Sequence, residues 1–167
     1  MNELSLAELH HLQAAEGWLE LGSPLEAEGE LEQIASHRQA HPAVLAARWQ
    51  IDAKAGRWDR AYQIAGTLTE LAAEDISSWV WRAYALRRMP GGGIEPAREL
   101  LLGVVEKFPS EWTICYNLAC YACQLGNPEE ARGWLAKAFA RGEARALKRM
   151  ALDDPDLQPL RATLEQL

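Results

Sequence analysis

Positive charge is almost missing from the first quarter of this 167-residue chain: residues 1–42 hold eight glutamates against one Lys/Arg-type residue, Arg38. The whole chain is acidic, with a net charge of −7 and a pI near 5.1. That speaks against a dedicated nucleic-acid binder, because neutralising phosphates takes a surplus of Lys and Arg on some face. Cysteine is scarce as well. The three present, Cys115, Cys120 and Cys123, fall within nine residues, too close together to staple a disulfide framework. No apolar run comes near the ~18–20 residues of a membrane-spanning helix, and the N-terminus lacks the basic segment and unbroken apolar core of a secretory signal. Glycine (12) and proline (8) are too few for collagen-like or low-complexity disorder. The expectation is a reduced, cytoplasmic, globular protein that engages neither membrane nor nucleic acid.

The charge is also unevenly placed. Residues 1–42 carry −7, residues 43–89 carry +2, residues 90–143 carry −2, and residues 144–167 balance. The ends of the chain therefore differ in character from its centre.

What the chain does have is internal repetition. Ala27 and Ala61 are 34 residues apart, Ala61 and Ala97 are 36 apart, and Ala97 and Ala131 are again 34 apart. A turn glycine stands five residues before three of them, at Gly22, Gly56 and Gly126. In the third unit the run Pro90-Gly91-Gly92-Gly93 absorbs the two extra residues. Each unit reads as two helices joined by a short turn. In the fourth, Leu118, Ala122 and Leu125 precede Gly126. Pro128 then opens a second helix, with Glu129 and Glu130 at the positive end of its dipole, and Ala131, Leu135 and Ala138 form its buried stripe. No segment alternates with a strand period. The spacing predicts an all-α fold of antiparallel helix pairs over about 8–41, 42–75, 76–111 and 112–143. Residues 144–167 follow as a helical cap, broken at Asp153-Asp154-Pro155 and ending in a stripe of Leu157, Leu160, Leu164 and Leu167. Asp154 suits the N-cap of that last helix and Pro155 its first position.

These residues carry a family resemblance. The 34-residue period, Trp79 and Ala83 in the third unit, Leu118-Ala119 in the fourth, the turn glycines, and the pattern Ala131-Leu135-Ala138 resemble the tetratricopeptide repeat over roughly residues 8–143. The resemblance implies an α-solenoid, a right-handed superhelix in which the first helices line a concave groove. Trp49 departs from the pattern, standing where the repeat usually keeps Gly or Ala, so the second pair is expected to be splayed or locally shifted.

On the register set by the alanines, the groove face of the first unit includes Glu16 and Glu20, and that of the second Gln50 and Lys54. The third contributes Trp81, Tyr84, Arg87 and Arg88, and the fourth Tyr116, Asn117 and Gln124. Such a face is acidic at one end and aromatic and basic further on. It suits a protein or peptide partner through rigid aromatic area and charge-assisted bonds. The Lys/Asn set with which some family members clamp chaperone C-termini has no counterpart, since Leu12, Glu16, Ala46 and Trp81 occupy its positions. Trp81→Ala with Arg88→Glu is expected to abolish binding and leave the fold intact.

Chemical sites are thin. Cys120-Tyr121-Ala122-Cys123 spells a CxxC, yet it sits mid-helix with no further zinc ligand near in sequence. Asp153, Asp154 and Asp156 lack the spaced carbonyls and distal Glu of a calcium loop. His37 and His41 fall at a helix end with no completing carboxylate, and phosphate loops and hydrolase elbows are absent. The expectation is a non-catalytic interaction module or scaffold with no cofactor and no metal. Two alternatives accompany it: a cytosolic chaperone or adaptor dedicated to one client, similar in size and charge to the tetratricopeptide-type chaperones of type III secretion, and a redox or metal protein using the cysteines. Homo-oligomerisation through the acidic first repeat completes the set.

Overall fold

The computed structural model describes residues 3–166, and among these every regular element is helical and none is a strand. Leu167, the last member of the terminal leucine stripe, lies outside the described residues. The chain divides into two compact units, residues 1–91 and 92–167. The first holds α1 (Leu6–Glu20), α2 (Pro24–Glu32), α3 (Pro42–Lys54), α4 (Trp58–Leu71) and α5 (Ile76–Arg88). The second holds α6 (Ile94–Leu102), α7 (Trp112–Gln124), α8 (Pro128–Arg141), α9 (Ala144–Asp153), a 3-10 segment (Pro155–Leu160) and α10 (Arg161–Gln166). The division falls at the glycine-rich turn, between α5 and α6, and the C-terminal segment belongs to the second unit. No described helix is long and apolar enough to cross a membrane.

Three turns are built alike. Gly22, Gly56 and Gly126 have φ of +79°, +71° and +79°, the left-handed region where a Cβ is costly and glycine is at home. Each closes its helix with the same two bonds of a Schellman motif. Ser23 N donates to Trp18 O and Gly22 N to Leu19 O; Arg57 N and Gly56 N repeat this on Asp52 O and Ala53 O; Asn127 N and Gly126 N repeat it on Ala122 O and Cys123 O. The carbonyls at the helix end are satisfied, and the chain reverses within a few residues.

The alanines that set the register, Ala27, Ala61, Ala97 and Ala131, are each 0% exposed. In the first unit α1, α2 and α3 close over Leu12, Ala15, Ala27, Leu31, Val44 and Ile51. In the second, α7 is apolar nearly all round, and among its residues from Ile114 to Cys123 only Asn117 is not buried. A helix of that kind must be surrounded; it packs against α6, α8 and the 3-10 segment, and Leu157 and Leu160 of that segment are buried in turn.

Polar locks join neighbouring repeats within each unit. Asp52 on α3 is 1% exposed and accepts Arg57 Nε at 2.5 Å, with Arg60 Nε at 3.5 Å from its other oxygen. Arg57 and Arg60 also reach Glu28 on α2, at 3.1 and 3.4 Å. In the second unit Arg98 Nη2 donates to Glu130 Oε1 at 2.6 Å, and Trp134 Nε1 donates to the same oxygen at 3.1 Å.

The bond from Arg98 holds the Glu130 carboxyl below its ordinary value of 4.5, with the Trp134 bond adding to it. A carboxyl depressed in the folded state contributes stability that is fully present above its unfolded value and is lost as pH falls through the folded one. The stability difference between wild type and Glu130→Gln is therefore expected to shrink below about pH 4.5. Urea melts at neutral and acid pH measure it, and a difference that does not change with pH would contradict the assignment.

Candidate functional site

Glu16 and Glu20 lie four apart on α1, and Gln50 and Lys54 four apart on α3, so each pair shares one helix face. They also occupy the same places in the repeat, since Glu16 and Gln50, like Glu20 and Lys54, are 34 residues apart. The structure brings all four together. With Leu19 they line one open cleft of about 350 Å³, at the small end of ligand-site volumes. Leu19 is the buried member, and the four polar side chains around it are exposed. None of the four makes a side-chain hydrogen bond or ion pair among the described residues. Other acids of the same segment are engaged: Glu8 caps α1 through Ser5, Glu28 holds Arg57 and Arg60, and Glu30 pairs with His11 Nδ1 at 2.8 Å.

The third-repeat residues are placed differently from the expectation. Trp81 lies flat on Trp49, with ring centroids 4.8 Å apart and planes 11° from parallel. Tyr84 meets Trp49 and Trp58 edge-on at 6.2 and 5.8 Å. The Arg88 guanidinium covers the Tyr84 ring at 3.5 Å and donates from Nη1 to Tyr84 O. Arg87 is partly buried in the last turn of α5. Trp81 and Arg88 are thus engaged by the unit's own packing, and only Tyr84 presents more than a third of its surface, at 37% exposed. Trp49 does not wedge the second pair apart. It is buried among Ala61, Ala65 and Ala85, and α3 and α4 stay packed together. Trp49 and Trp58 are members of this cluster that the groove register does not pick out. The signal for Trp49 was its size at a small-residue position.

The fourth-repeat residues face the chain's own elements. Tyr116 is buried, and its hydroxyl donates to Asp154 Oδ2 at 3.0 Å. Desolvation first, then the charges of Cys120 and Asp154, push its ionisation far above the ordinary tyrosine range. Gln124 Nε2 donates to Asp156 O at 3.0 Å, and Asn117 Nδ2 donates to Thr113 O on its own helix at 2.9 Å. Tyr116 and Gln124 are therefore held by the C-terminal segment instead of standing open to a partner. Cys115 is also buried, with Arg141 Nη1 at 2.9 Å from its sulfur. Burial pushes its thiol up, the opposite of what an activated nucleophile needs.

Trp81→Ala is accordingly expected to cost about 2–4 kcal/mol of stability through the lost indole stack, while Arg88→Glu, at a partly buried residue whose contact with the Tyr84 ring is given up, costs about 1 kcal/mol. Urea unfolding of the two single variants separates them; equal, small losses would return Trp81 to the surface. No protein-family model matches the chain, and neither does any curated protein.

Proposed function

We propose that the chain is a non-catalytic interaction module of the tetratricopeptide type, with its first helices on a concave face, and that it holds a segment of a protein partner in the cleft between α1 and α3. The observation that carries this reading is the cleft itself: two carboxylates, an amide and an ammonium on two helix faces, with no bond among the described residues to satisfy them. Glu28 and Glu30 of the same segment are held by Arg57, Arg60 and His11, whereas the exposed carboxylates of Glu16 and Glu20 face solvent and are available to a partner. The chemistry of the occupant follows from the register. Glu20 stands at the place in its repeat that Lys54 holds in the next, whereas Glu16 is matched with the neutral Gln50. A basic side chain of the partner suits the Glu16 end, and an acidic group suits Lys54. The ligand is thus bound in one orientation, and Gln50 is free to take its backbone. The repeat turns and buried alanines support the family reading, and three cysteines outside any disulfide suit a reducing cytoplasm.

Glu16→Arg with Glu20→Arg tests it. Both positions are exposed, so the pair is expected to change stability by no more than about 0.5 kcal/mol each. Partners captured from the native host by the wild-type chain should be lost by the double variant, and wild-type binding should weaken with added salt. Retention of the same partners at equal strength would place the binding surface elsewhere.

A further inference from the structure

Two stretches that carry no site separately in the sequence meet in the second unit. Cys120 and Cys123 lie three apart on α7 and share a face with Tyr116, four residues before Cys120. The 3-10 segment that begins at Pro155 packs on that helix. As a result, Cys120 Sγ and one carboxylate oxygen each of Asp154 and Asp156 all lie within 4.8 Å of one another. The distance from Cys120 Sγ to Asp154 Oδ2 is 3.7 Å. A tetrahedral ion with a metal–sulfur bond of about 2.3 Å and a metal–oxygen bond of about 2.0 Å spans an S···O edge of about 3.5 Å.

The carboxylates are held as ligands need to be. Asp154 Oδ1 accepts Asp156 N at 2.9 Å and Oδ2 accepts the Tyr116 hydroxyl at 3.0 Å; such outer bonds fix the orientation of a metal-ligating carboxylate. Cys123, three residues further on, is buried but lies outside that set of atoms.

We propose that Cys120, Asp154 and Asp156 form a binding site for a divalent ion of the zinc class, with water taking the fourth position. A sulfur ligand disfavours magnesium and calcium, which take all-oxygen shells. A mixed thiolate and carboxylate set on a helix and a facing turn suits a tetrahedral ion of borderline softness. The ligating thiol gives its proton to solvent as it binds. Such an ion ties the C-terminal segment to α7 and leaves the α1–α3 cleft untouched.

The full chain, stripped of metal with a chelator, is titrated separately with Zn²⁺, Co²⁺ and Mg²⁺. One Co²⁺ per chain is expected, with a thiolate-to-cobalt charge-transfer band that Zn²⁺ abolishes, and Zn²⁺ but not Mg²⁺ should raise the melting temperature. Cys120→Ser should remove the band and weaken Zn²⁺ binding at least about tenfold, while Cys115→Ser keeps both. Should that variant fail to fold, Asp156→Asn carries the same test, because it retains the backbone bond to Asp154 and loses a ligand. Absence of the cobalt band, a band that survives loss of Cys120, or equal binding of Mg²⁺ and Zn²⁺ would each overturn the assignment.

Discussion

How closely two helices of a pair approach one another decides most of this structure. Ala27, Ala61, Ala97 and Ala131 are wholly buried, and a methyl group at the contact lets axes approach toward the near end of the usual ~8–10 Å range. Close axes need short reversals, which the left-handed turn glycines provide with the same pair of backbone bonds in three repeats. Larger residues then fill the space one turn on. Leu31, Leu101 and Leu135, each four residues after its alanine, are buried in their respective units.

Polar contacts then select which faces meet. Glu28 follows its register alanine and pairs with Arg60, which precedes the next one; Arg98 follows its alanine and pairs with Glu130, which precedes the next. The two locks span the same 32 residues with the charges exchanged. Part-exposed ion pairs of this kind contribute little stability, about 0–1 kcal/mol, so their value lies in rejecting wrong neighbours. At the corresponding positions of the second and third repeats stand Tyr62 and Pro96, which carry no charge. The chain divides into its two units in that stretch.

Features set by short-range rules were legible in the sequence. The alanine period, the glycine turns and the proline starts depend on a residue and its near neighbours, and they marked where helices begin and end. The Glu16, Glu20, Gln50 and Lys54 set was legible for a related reason, since i and i+4 spacing and a 34-residue register place those four side chains together without knowledge of the rest. Tyr116 and Gln124 were misjudged because their partners, Asp154 and Asp156, lie more than 30 residues downstream, and no local pattern states where a C-terminal segment will come to rest. The same distance separates Cys120 from the carboxylates that meet it.

Trp49 shows how one local exception redistributes the surface. In the first and fourth repeats the pairing is Ala15 with Leu31 and Ala119 with Leu135; in the second it is Trp49 with Ala65. Bulk has moved from the second helix to the first, and tryptophan with alanine is larger than the alanine and leucine it replaces. The indole overfills the space a leucine leaves, and its flat face reaches the next first helix, where it stacks on Trp81. Tyr84 and Arg88 close over that stack in turn. The aromatic residues that would have made the third repeat a binding face are thus drawn into supporting the second. Between α1 and α3 no such ring stack is present among the described residues, and above their shared aliphatic core Glu16 and Glu20 are left facing an open cleft.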